Sequence, residues 1–208
     1  MLASLKSFSY LATRGLLLGL LLLGLLMFGS GMAQADDTFD TKERFKNPAK
    51  IPTHILHYLN KQSNREAIAS CQEAKPHELF EAETISLNQS TKAYLVKPAR
   101  SCLCTAVTCP VWLLQAKGST AKLLWHMPAT SVVEVLDKKL NGYRKIKEAY
   151  TDEAHGSESI WSWDRVNYTE IYKNSWKMDP DKKCRLGEET IQLVDGKMVN
   201  HTIKCPQD

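Results

Sequence analysis

Apolar positions along the chain change rhythm twice. From Gly15 to Gly29 the stretch GLLLGLLLLGLLMFG is apolar almost without a break. A polar segment follows from Asp36 to Lys50, with a single apolar anchor at Phe45. Behind Pro52, which suits a first helical turn, Ile55, Leu56 and Leu59 recur at helical spacing, so an amphipathic helix is expected over 52–62. A second helical piece is expected over 64–73. Beyond Glu78 short runs rich in Val, Ile, Tyr and Trp alternate with turn residues, which is the texture of strands. Strands are expected at 80–87, 92–96, 111–115, 121–125, 132–136, 143–150, 159–164, 168–172, 190–194 and 198–203.

Short links join these runs. Lys117-Gly118-Ser119-Thr120 and Asp195-Gly196 read as hairpin turns, and Asp-Gly suits a type I′ turn whose two central residues need positive φ. No long helix alternates with the strands, which argues against a parallel sheet. The expected fold class is α+β: N-terminal short helices packed on a mainly antiparallel meander sheet, stapled by disulfides. Residues 51–208 would form one domain behind a flexible arm at 36–50.

The first 35 residues stand apart from that domain. Lys6 and Arg14 precede the apolar run, and Ala33-Gln34-Ala35 places small residues at the −3 and −1 positions of a cut before Asp36. This is the order of a secretory signal peptide. The run is shorter than the roughly 20 residues a membrane span needs. The first cysteine is Cys71, so none follows the cut to carry a lipid. The full chain has a formal net charge of +4, and loss of Lys6 and Arg14 leaves about +2. That balance lacks the clustered basic face of a nucleic-acid binder.

Six cysteines remain: Cys71, Cys102, Cys104, Cys109, Cys184 and Cys205. In an oxidising compartment an even set reads as a disulfide framework, although six cysteines allow fifteen pairings. Proximity favours Cys184 with Cys205, Cys104 with Cys109, and Cys71 with Cys102. Cys102-Leu103-Cys104 with Cys109 and His126-Met127 could instead offer soft metal ligands, but no second pair has ligand spacing. Cys-x-x-Cys, the usual redox arrangement, is absent from the sequence. Neither a metal nor any other cofactor is therefore expected.

Other chemistry is sparse. His54 and His57 lie one helical turn apart without a third ligand nearby. No Gly-x-Ser-x-Gly elbow and no phosphate-cradling glycine loop occurs. Glu78, Glu81 and Glu83 could supply paired carboxylates for a hydrolase. Trp161 and Trp163 alternate along one expected strand and share a face. Trp125, Tyr143, Tyr168, Tyr172 and Trp176 fall near the same sheet. These aromatics are either a sheet core or a face that grips a partner.

The order of several short motifs resembles a group of uncharacterised exported bacterial domains. Cys104 to Cys109, followed by Pro110-Val111-Trp112, is similar to their Cys-loop-Cys and Trp strand. Gly142-Tyr143-Arg144 is similar to Gly-Tyr-Arg-Asp, and Trp161 to Tyr168 is similar to an aromatic-x-aromatic-Asp-Gly-x-x-Tyr hairpin. Thr105 stands where the group has a glycine, the loop is one residue shorter, Lys145 replaces the Asp and Arg165 the hairpin glycine. The resemblance implies an exported, mainly β domain and no known activity. A weaker likeness is to periplasmic vertebrate-type lysozyme inhibitors, which plug an enzyme cleft with a disulfide loop carrying Lys-Pro-His. Lys75-Pro76-His77 is present, but no cysteine follows it closely, and the Cys104–Cys109 loop carries only Thr-Ala-Val-Thr.

The sequence therefore leads to a periplasmic or secreted, non-catalytic binding or inhibitor module. Its expected partner is an envelope protein or cell-wall glycan, with no nucleic acid and no stable membrane insertion after cleavage. Trp161, Trp163, Tyr168, Tyr143 and Arg144 are the binding candidates. The alternative is an envelope hydrolase built on carboxylates such as Glu78 and Glu81.

Overall fold

Continuous and alternating apolar runs sort the strands into two sheets. The computed structural model describes residues 37–62, 71, 74–181, 183–192 and 195–205. Within these, β1 (Asp37–Asp40) and β2 (Pro48–Ala49) precede the helix α1 (Thr53–Gln62). Then come β3 (Phe80–Ser86), β4 (Lys92–Pro98), β5 (Cys109–Lys117), β6 (Thr120–Thr130) and β7 (Val132–Leu140). β8 (Tyr143–Thr151), β9 (His155–Trp163), β10 (Tyr168–Asp179), β11 (Cys184–Gln192) and β12 (Met198–Ile203) follow. One sheet has the order β2-β3-β4-β5-β6 and the other β1-β7-β8-β9-β10-β11-β12, with every pairing antiparallel.

The five-stranded sheet is apolar on both faces, because it is the middle of three layers. Val111 and Leu113 on β5 face the seven-stranded sheet, in a core with Leu95, Val133, Val135 and Ile146. Trp112 and Leu114 point the other way, onto Ile55 and Leu59 of α1. A strand buried on both faces reads as the unbroken run Val-Trp-Leu-Leu rather than as an alternation. A register shift opposite Leu113 and Leu114 lets the adjacent Leu124 and Trp125 of β6 enter the same core.

The antiparallel meander and the disulfides match the expectation, and all ten expected strands overlap observed ones. Three points differ. The structure is mostly β, with one α-helix among the described residues; the second expected helix, 64–73, lies outside them apart from Cys71. The meander divides into two sheets at Ser131, where neither glycine nor proline marks the crossing. Of the arm expected over 36–50, the described residues 37–50 are not free. β1 pairs with β7, β2 pairs with β3, and Phe45 between them is buried in the core. One apolar side chain and two edge pairings hold a segment that its polar composition makes look mobile.

Turn chemistry corrects another expectation. Asp195 does not adopt positive φ; Gly196 does, and the link from Gln192 to Met198 is longer than a two-residue turn. The Asp195 side chain instead accepts from the Lys197 N–H at 3.1 Å. The pair with positive φ at both central residues is Asn141-Gly142, joining β7 to β8.

Three disulfides join Cys71–Cys102, Cys104–Cys109 and Cys184–Cys205. They fit an oxidising, non-cytoplasmic setting. Among the described residues no helix is long and apolar enough to cross a membrane.

Candidate functional site

The residues singled out from the sequence come together, but as scaffold. Trp163, Tyr168 and Arg144 are buried, while Trp161 and Tyr143 pack half-buried against the core between the sheets. Tyr143 stacks on Trp163 with ring centroids 4.7 Å apart, and Tyr168 meets the same indole edge-on at 5.4 Å. The Tyr168 hydroxyl donates to the Arg144 carbonyl at 2.8 Å, and burial raises its pKa above the usual tyrosine range. Arg144 donates to Asp37 at 2.7 Å and to the carbonyls of Val135 and Leu136, which ties β1 to the hairpin β7–β8. Alternation along β9 correctly puts Trp161 and Trp163 on one face, but that face is covered by the other sheet. A partner cannot use it without opening the core.

The hairpin between Trp163 and Tyr168 is closed by its aspartate. Asp164 accepts from the N–H groups of Val166 and Asn167 at 2.7 and 2.8 Å, and these bonds lower its pKa. Arg165 sits at φ +98°, the region that favours glycine.

The carboxylates named from sequence are also engaged. Glu81 meets the buried Lys97 at 2.5 Å, and Glu78 lies 3.7 Å from Arg100. Lys75-Pro76-His77 leads into a 3₁₀ turn (Pro76–Glu78), not a disulfide loop, and its His77 is exposed. Among the described residues no three His, Cys, Asp or Glu side chains gather as a metal would require.

A different region carries the open surface. β10 is 12 residues long, and a register irregularity between Glu170 and Tyr172 separates its start in the sandwich from its continuation. Directly opposed residues of antiparallel strands share a face. The face that buries Ile146 and Trp161 therefore continues as the row Glu148–Ser159–Lys173, then as Ser157–Ser175–Glu188–Thr202. Glu148 is 4% exposed, and burial raises its carboxyl pKa; hydrogen bonds from Thr130 and Ser159 oppose the shift, Glu170 adds to it and Lys173 opposes it.

Past that row a groove of about 720 Å³ opens. Leu186, Ile203 and Cys205 give it apolar walls, and Lys177, Glu188 and Lys204 place charges around them. The bond Cys184–Cys205 closes its rim. Trp176 also lines the groove, yet its ring is occupied. The indole rests against Gly156, where a Cβ would fall 2.4 Å from it, and the Arg185 guanidinium lies 4.2 Å over the ring. The groove was missed because its residues are polar or isolated in sequence. The available signals were Gly156 and Gly187 inside strands, a pattern that marks close backbone or ring approach.

No protein-family model, curated protein or solved structure matches the chain.

Proposed function

We propose that the protein is an exported, periplasmic or secreted binding module whose partner is another envelope protein, held at the groove on β10–β12. The observation that carries this reading is the groove: about 720 Å³, apolar at its walls and ringed by both signs of charge. Such a mixture suits an apolar anchor residue with polar groups fixing its orientation. A cell-wall glycan is the poorer fit. Sugar rings dock on free aromatic faces, whereas Trp112, Trp125 and Trp163 are buried and Trp161 packs on the core. Trp176 is engaged by Gly156 and Arg185. The resemblance to exported bacterial domains agrees with export but adds no activity.

The hydrolase reading now rests on Glu148, a buried carboxyl with a raised pKa beside Glu170. A raised carboxyl is what a general acid needs. A polymeric substrate cannot reach it at 4% exposure without parting the sheets. Binding is therefore the stronger reading.

Affinity capture from periplasmic extract tests it, with the chain from Asp36 as bait. The wild type and Val107→Glu, altered at an exposed sandwich loop, should retain the same protein. Leu186→Glu, verified as folded by circular dichroism, should lose it. Equal retention by all three would reject the groove as the partner site. Co-sedimentation with purified peptidoglycan without any protein partner would favour the glycan.

A further inference from the structure

Among the described residues, the four sheet edges differ in how they are protected. β1 is 4 residues long, and β2 is 2 residues long and includes Pro48. β6 is long, but it carries Lys122 and Pro128, and its register with β5 is interrupted twice. Short length, lysine, proline and bulges are the devices that stop an edge from pairing with another chain. β12 has none of them. Met-Val-Asn-His-Thr-Ile contains neither lysine, proline nor a carboxylate, and its pairing with β11 is unbroken from Gln192 to Gly187.

We infer that β12 pairs with β12 of a second copy of this chain, antiparallel about a two-fold axis through His201, to make one continuous sheet. A two-fold axis normal to the sheet keeps each face continuous, so paired positions must have the same parity. Centring on His201 sets Val199 against Ile203 and Asn200 against Thr202, apolar with apolar and polar with polar. Centring on Asn200 would instead oppose Ile203 to Lys197 and Val199 to His201. The His201-centred register therefore matches the strand's interior, and Met198 falls opposite Lys204 just past its end. The groove faces of the two copies then lie on the same side of the joined sheet, which extends the surface offered to a partner. A six-residue edge is a small contact beside a standard interface of roughly 1,600 Å², so the dimer forms weakly.

Sedimentation velocity of the mature chain over a concentration series reads this directly. The wild type should move from monomer to dimer. His201→Lys, at an exposed position, sets like charges opposite one another and should raise the dissociation constant about tenfold or more. Under mild oxidation His201→Cys should give a covalent dimer, because opposed Cα atoms lie about 4.5–5.5 Å apart, within disulfide range. Met198→Cys, exposed but distant from its own copy in this register, should not. A monomer at every concentration, a dimer indifferent to His201→Lys, or equal crosslinking at residue 198 would overturn the inference. None of these results would touch the groove, which the capture experiment tests separately.

Discussion

The β10–β12 extension continues one of the two sheets of the sandwich, yet the two regions are stabilised differently. In the sandwich, β4 and β5 bury side chains on both faces, and the aromatic cluster Tyr143–Trp163–Tyr168 is stacked and hydrogen-bonded. In the extension, among described residues from Tyr168 onward, only Tyr168 itself is buried. What holds that region is the strand ladder, the Trp176 ring on Gly156 and the Cys184–Cys205 bond. The contrast teaches that apolar burial supports the scaffold, while covalent closure substitutes for it where a surface stays open.

Changes in the scaffold should have the larger effect. Trp163→Ala removes an indole that is 7% exposed and contacts two tyrosine rings. It should cost about 3–5 kcal/mol of global stability, measured by urea unfolding. A loss below about 1 kcal/mol would mean that the cluster is not a supporting core. The smallest change should go the other way. Arg165→Gly relieves positive φ at a hairpin and should stabilise by about 0.5–1 kcal/mol, read as a higher Tm. A fall in Tm would show that the arginine side chain contributes more than its backbone strain costs.

The same contrast governs how far the sequence could be read. Strands with strong apolar patterning, such as β5 and β8, were legible because burial dictates the pattern. Disulfide pairing was legible because Cys184 and Cys205 flank one hairpin, and Cys104 and Cys109 close one loop. The aromatic pair on β9 was legible as a face, but not as a covered face: alternation fixes which way Trp161 and Trp163 point and is silent about the sheet opposite. The division at Ser131 left no turn signal. The groove depends on cross-strand rows that bring together Ser175, Glu188 and Thr202, residues with nothing in common along the chain.

Hydrogen exchange resolved strand by strand, comparing the wild type with the double variant Cys184→Ser, Cys205→Ser, tests the division into scaffold and stapled extension most directly. The bond spans 21 residues, for which loop entropy implies about 3 kcal/mol. Openings confined to β10–β12 should lie below global unfolding, so amides of β11 and β12 should exchange faster than those of β4, β5 and β8 in both proteins, and on the order of a hundredfold faster again in the variant. Equal protection of β11 and β12 with β4, β5 and β8 in both proteins would contradict the account, because the extension would then be an inseparable part of the same cooperative core.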